Sequence, residues 1–209
     1  MTRADPEVSR IKFKREVGNL TDQREVLQSR GIFILGEPTF PIVELMFVPR
    51  RPLKFAMAVQ QQGLIALSQP SVALVEVPSI AGRAFKARFD LTDYDLRAPS
   101  LEFRDPWTDE LLSYATMLRA VEYEKERQAH NVLLDDHPTT HKPFLCLRGV
   151  REYHEHPQHS GDDWLLYRTE MSLFSIAMSL WRVTLDLTHP MLVLQQNGLQ
   201  VQWNTEEKA

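Results

Sequence analysis

The chain has 209 residues, 43% apolar and 25% charged, enough apolar surface for one generous domain and too much for global disorder. Its 24 basic and 28 acidic side chains leave a formal net charge of −4, with neither half strongly basic, which gives no support to a nucleic-acid partner. A single cysteine, Cys146, excludes a disulfide framework within the chain and fits a reducing compartment.

Residues 1–8 read as a polar tail without the apolar core of a signal segment. Ser9 to Arg30 reads as a helix, with Phe13, Val17, Leu20 and Leu27 on one face and Arg10, Lys12, Lys14, Arg15 and Glu16 around them. Gly31 is its expected stop. Short, mainly apolar runs follow at Ile32 to Leu35, Ile42 to Val48, Phe55 to Val59 and Ala73 to Val77. Turn residues separate them, as in Gly36-Glu37-Pro38 and Pro49-Arg50-Arg51-Pro52, so the region reads as a strand meander. These runs are too short to span a bilayer, and a cytoplasmic protein with no membrane partner is expected.

Phe85 to Leu91 reads as a further strand, with Phe85, Ala87, Phe89 and Leu91 on one side and Lys86, Arg88 and Asp90 on the other. A short strand fits Leu101 to Arg104. Thr108 or Asp109 is suited to cap a helix running to about His130, so the block 109–136 reads as a helical insertion. Asp135 to Phe144 reads as a loop, Trp164 to Leu187 as one long packing helix and Met191 to Trp203 as strand-like stretches. Residues 204–209 form a polar tail. With no repeat or linker, residues 9–203 read as one α+β domain, an antiparallel meander with an N-terminal helix and C-terminal helices.

The chemistry-bearing residues gather around Cys146. Thioester transfer needs an exposed sulfur of modest pKa and nearby hydrogen-bond donors for the oxyanion. Cys146 follows Phe144-Leu145 at the exit of a loop in which His137 and His141 can supply donors or a base. The plain alternative is that a lone cysteine is a small apolar packing residue. Beyond it, Glu152-Tyr153-His154-Glu155-His156-Pro157-Gln158-His159 gathers carboxylate and imidazole, the donor types that zinc draws on. If Arg151 to His156 is a strand, Glu152, His154 and His156 share one face. The alternative there is a solvated polar loop. The eight glycines form no phosphate loop, and no serine-hydrolase elbow is present. Asp162 and Asp163 read as turn and cap residues, and the four tryptophans as packing residues.

Three stretches carry a family resemblance. Ser9-Arg10-Ile11-Lys12-Phe13-Lys14-Arg15-Glu16 is a basic amphipathic opening helix. Phe89 to Phe103 joins two strands through Tyr94 and Pro99. His137-Pro138-Thr139 precedes Phe144-Leu145-Cys146-Leu147. In this order they resemble the ubiquitin-conjugating (UBC) fold, in a divergent bacterial type. The resemblance implies that Cys146 accepts a ubiquitin-like modifier as a thioester from an activating enzyme that docks on the first helix, and passes it to an amine. His137 and His141 would shape the site. Thr139 stands where the family's His-Pro-Asn loop has the asparagine implicated in stabilising the oxyanion, and the 109–136 block and the histidine-rich segment are further departures. The second segment also resembles a predicted Cys-Glu-His-His metal-binding family linked to bacterial ubiquitin-like conjugation. That match implies a zinc site from Cys146, Glu152, His154 and either His156 or His159, in a non-catalytic accessory protein. A third alternative is a UBC-like interaction module with no active cysteine. A sulfur closed into four-ligand zinc is not available as a nucleophile, so the first two readings compete for one atom.

Overall fold

The computed structural model describes residues 4–48, 53–59, 71–77, 84–113, 121–123, 129–134, 137–159, 161–185, 190–195 and 198–203. Helix α1, Pro6–Asp22, starts earlier than its apolar stripe suggests because Asp5 caps it, accepting the Glu7 N–H at 2.8 Å, with Pro6 at the first position. Its buried side holds Ser9, Phe13, Glu16 and Leu20. The chain then breaks at Gln23, and a short helix α2, Arg24–Ser29, buries Leu27. Two helices thus stand where the stripe predicts one. Gly31 ends α2 at φ +77°, a left-handed conformation that glycine adopts without steric cost.

Strands β1 (Ile32–Ile34), β2 (Ile42–Phe47), β5 (Phe85–Asp90) and β6 (Ser100–Arg104) form a four-stranded antiparallel sheet in the order β1-β2-β5-β6. Between β2 and β5 the chain makes a separate hairpin, β3 (Leu53–Val59) with β4 (Ser71–Val77). In the sheet, Phe47 stands opposite Phe85, Val43 opposite Phe89, and Phe89 opposite Leu101. Period-two alternation therefore stacks Val43, Leu45, Phe47, Ala87, Phe89, Leu101 and Phe103 on one buried face. The other face carries paired charges, Glu44 of β2 at 3.3 Å from Lys86 of β5 and, within β6, Arg104 at 2.8 Å from Glu102.

Residues 105–113 do not form the expected helix. The Asp105 carboxylate accepts the N–H groups of Trp107 at 2.9 Å and Thr108 at 3.1 Å, which makes a turn. Asp109 lies at φ +60°, and the Leu112 N–H returns to the Phe103 carbonyl at 2.9 Å. Further on, β7 (Val121–Tyr123) pairs with β8 (Ala129–Asn131), so these parts of the block expected to be helical are a hairpin. Residues 114–120, 124–128 and 135–136 of that expectation lie outside the described residues. Trp107 is 78% exposed and does not pack.

Strand β9 (Leu133–Leu134) pairs with β10 (Phe144–Leu145). Helix α3 spans Arg151–Glu155, followed by a 3-10 turn at Pro157–His159. The expected single helix from Trp164 is two, α4 (Trp164–Tyr167) and α5 (Leu173–Leu185). Asp163 caps α4 through the Leu165 N–H at 2.9 Å. Ser172 and Ser175 restart the helix by exchanging side-chain and backbone hydrogen bonds at 2.8 and 3.1 Å. Strands β11 (Pro190–Gln195) and β12 (Gly198–Trp203) form the last hairpin. Among the described residues, no helix is long and apolar enough to cross a membrane.

The core lies between the sheet and the helices. Leu173, Ile176, Ala177 and Leu180 of α5 join Phe13, Leu20 and Leu27 in one buried cluster with the sheet. Each large side chain there contributes about 1.5–3 kcal/mol by leaving water. One polar residue is built into this cluster. Glu16 is 1% exposed; its carboxylate accepts the Leu173 N–H at 3.0 Å, at the start of α5, and the Arg15 guanidinium at 2.9 Å. Glu16→Ala leaves that helix start without its acceptor and is expected to lower the unfolding free energy by about 2–3 kcal/mol. Glu16→Gln, which keeps one acceptor oxygen, is expected to lose less. Urea unfolding midpoints of the three proteins check the order; equal midpoints would show that the cap contributes nothing.

Candidate functional site around Cys146

Cys146 is the first residue beyond β10. Its N–H donates to the Val132 carbonyl at 2.8 Å, which holds the residue beside the β9–β10 hairpin, and its side chain is half-buried. Behind it the backbone packs tightly on α5. A Cβ on Gly149 would lie 2.6 Å from Ile176 Cγ1 and 3.1 Å from Cδ1. The Cys146 Sγ meets His159 Nε2 at 3.5 Å, within hydrogen-bond range for sulfur.

His159 comes from the turn after α3, and its ring stacks on Tyr153 with centroids 3.9 Å apart. The Tyr153 hydroxyl donates to Asp162 Oδ2 at 2.6 Å, and the Tyr167 hydroxyl to Oδ1 at 3.3 Å. The Tyr153 hydrogen bond, with Arg148 nearby, holds the Asp162 carboxyl below its usual range. Burial and Asp162 push the Tyr153 hydroxyl up, so it stays a donor.

His137 is not presented to the sulfur. His137 is fully buried. Its Nε2 faces the Glu152 carbonyl at 3.0 Å, and its Nδ1 receives the Thr139 N–H at 3.3 Å. These partners assign the tautomer, N–H at Nε2 and lone pair at Nδ1, and occupy both nitrogens. The ring packs edge-on against Phe144 at 5.0 Å, supporting β10 from below. His141 closes the same turn, at φ +51°, through its N–H to the His137 carbonyl at 2.7 Å.

The segment expected to present Glu152, His154 and His156 along a strand face is helix α3, so these side chains fan out instead. The Glu152 carboxylate turns to β6, accepting the Ser100 hydroxyl and the Leu101 N–H at 3.2 Å. His154 places Nδ1 at 2.7 Å from the Asp162 carbonyl and Nε2 at 2.6 Å from the Arg148 carbonyl. Both nitrogens thus face backbone carbonyls rather than Cys146. His156 stacks on Phe144 at 5.2 Å and lies 5.5 Å from His159. Burial, then His137 and His159, lower its pKa. Of the five residues considered for zinc, only Cys146 and His159 are in contact, with His156 beside them. Among the described residues, no group of three or more His, Cys, Asp or Glu is arranged to hold a metal ion. Glu152 and His154 are turned to other partners than Cys146 and His159.

The sequence offers no local signal for the Cys146–His159 contact. The two are 13 positions apart, and only the reversal through α3 and the following turn brings them together. Tyr153 and Asp162 were equally hidden among turn residues.

Two measurements check this geometry. Gly149→Ala is expected to cost about 1–3 kcal/mol by overpacking, and less than that when combined with Ile176→Ala, as denaturant unfolding of the double-mutant cycle would show. Burial raises the Glu152 carboxyl above its ordinary value against the hydrogen bonds from Ser100 and Leu101. A raised carboxyl binds its proton more tightly folded than unfolded. Its contribution is present below the ordinary value and is lost as pH rises through the raised one. Glu152→Gln is therefore expected to remove this loss, so its stability relative to the original protein should rise from acid to neutral pH. A pH-independent difference in unfolding midpoint would contradict the assignment.

The family model described as the Y4jH family matches residues 4–87 and 115–186, a span that includes Cys146 and the histidine-bearing segment. The chain is also similar to the uncharacterized protein y4jH of Sinorhizobium fredii, at 31% identity over 187 residues, covering 78% of this chain and 75% of that protein.

Proposed function

The chain belongs to the Y4jH family, and we propose that it accepts a ubiquitin-like modifier as a thioester on Cys146 and transfers it to an amine. The observation that carries this reading is the position of the sulfur. Cys146 sits half-buried at the end of a leading helix, a four-stranded meander and a His-Pro turn, and before the C-terminal helices. This order, interrupted by the β3–β4, β7–β8 and β9–β10 hairpins, resembles that of the UBC fold, as do the motifs from Phe89 to Phe103 and from His137 to Leu147. An activating enzyme delivers the modifier's C-terminal carboxyl as a thioester. The Cys146 thiolate attacks that carbonyl, the activating enzyme's thiolate leaves, and a lysine amine later takes the acyl group.

Helix α1 is the expected docking surface for the activating enzyme. Its exposed side carries Val8, Arg10, Ile11, Lys14 and Arg15. Lys12 and Arg15 are tied to the domain through Asp95 at 3.3 Å and Glu16 at 2.9 Å. The surface therefore joins apolar contact from Val8 and Ile11 with the basic side chains Arg10, Lys14 and Arg15.

Incubation with a bacterial ubiquitin-like modifier, its activating enzyme and ATP, followed by a non-reducing gel, tests the reading. A thiol-sensitive adduct is expected in the original protein and not in Cys146→Ala. An adduct that persists without Cys146 removes the residue from the reaction.

A further inference from the structure

The His-Pro turn is the place where a proton acceptor for Cys146 is expected, yet both nitrogens of His137 are already engaged. We propose that His159 is the catalytic partner of Cys146, taking the thiol proton on Nε2, and that Tyr153 and Asp162 position it. The use of this pair in acyl transfer rests on the thioester reading above. The pair itself is read directly from the geometry.

Three features support it. The Cys146 Sγ and His159 Nε2 are 3.5 Å apart, so proton transfer needs no rearrangement. The His159 ring lies flat on Tyr153, at 3.9 Å and 18° between planes, which leaves its Nε2 edge toward the sulfur. Tyr153 is in turn pinned by Asp162, whose own backbone N–H donates to the His159 carbonyl at 3.0 Å. Turn, ring and carboxylate therefore form one unit.

Among the described residues, the charged and titratable groups around His159 are Cys146 from the end of β10, Tyr153 and His154 from α3, His156 before the turn, and Asp162 with Arg148 beyond the Tyr153 ring. The Tyr153 hydrogen bond lowers the Asp162 carboxyl pKa, with Arg148 and, last, His159 adding to it. His156 is disfavoured as a cation by burial and by its histidine neighbours, so it does not compete for the proton. In the reaction the S–H proton moves to Nε2 and the sulfur lone pair forms the new C–S bond. The C–S bond to the activating enzyme's cysteine breaks, and that thiolate takes up the proton from the imidazolium or from water. No oxidant or metal is required.

The test is alkylation of Cys146 by iodoacetamide in the folded protein between pH 6 and 9, with and without EDTA. The original protein is expected to react with an apparent midpoint well below the ordinary thiol value of about 8.5. His159→Gln is expected to react about tenfold more slowly at pH 7 and to regain the ordinary midpoint. Tyr153→Phe, which keeps the stacked ring and loses the bond to Asp162, is expected to fall in between. An ordinary midpoint in the original protein overturns the proposal without reference to any variant. So does unchanged alkylation in a folded His159→Gln, or faster alkylation on adding EDTA, which would mean that metal was covering the sulfur. Thioester formation with an ordinary alkylation profile would sink the pair and leave the conjugation reading standing. A depressed midpoint without any thioester would do the reverse.

Discussion

The contact between Glu16 and the first N–H of α5 is the constraint on which the rest of the molecule depends. Glu16 lies in α1 and Leu173 starts α5, 157 positions later, so one carboxylate oxygen joins the two ends of the core. Burying a carboxylate is costly unless hydrogen bonds replace water. Here the Leu173 N–H and the Arg15 guanidinium do so. Tyr94 stands against the same carboxylate, and burial, Glu16 and Asp95 push its hydroxyl far above its ordinary value. The arrangement is directional, which apolar packing is not. It sets where α5 begins and hence which side chains of α5 face Gly149 and the Cys146 segment.

A second set of polar ties carries that placement to the site. Arg151, at the start of α3, donates to the Ala98 and Thr92 carbonyls at 3.1 and 2.7 Å, and its N–H reaches the Pro99 carbonyl at 2.9 Å. Glu152 holds Ser100 and Leu101, and Glu155 pairs with Arg97. The indole of Trp164 donates to the Asp95 carbonyl at 3.1 Å. Helix α3 has only five residues and could not persist alone. It is clamped on the connection between β5 and β6, and from there it projects Tyr153 and His159 toward the sulfur. Of the residues that look like metal donors in sequence, Glu152 is spent on this clamp and His154 on the Asp162 and Arg148 carbonyls.

Those distinctions mark how far local pattern reaches. Alternation in Phe85 to Asp90 and Ser100 to Arg104 was legible because one face of each strand meets the core and the other meets water, so the side-chain period survives in the sequence. The stretch after Pro106 was misleading. Leu111, Leu112, Val121 and Tyr123 fall at helix-compatible intervals, but Asp105 turns the chain and Leu111 bridges back to Arg104. The break between α4 and α5 was equally hidden, since Leu, Phe, Ile and Trp run through Trp164 to Leu187 without a glycine or proline. Ser172 and Ser175 restart the helix locally, but the acceptor of its first N–H is Glu16, remote in sequence.

From the sequence by itself follow the α+β class, the antiparallel meander, the cap at Asp163, the turn after His137 and the singling out of Cys146, because each depends on residues within a few positions of one another or on the count of a residue type. Tertiary structure decided which histidine meets the sulfur. His137 is consumed by the Glu152 carbonyl and the Thr139 N–H, His154 by two further carbonyls, and His159 alone of the three is turned to Cys146. A hydrogen-bonding side chain has the same letter in a sequence whether its lone pairs are occupied or not. Only the folded chain, which brings backbone carbonyls and remote carboxylates within 3 Å, determines which groups are already satisfied and which remain to do chemistry.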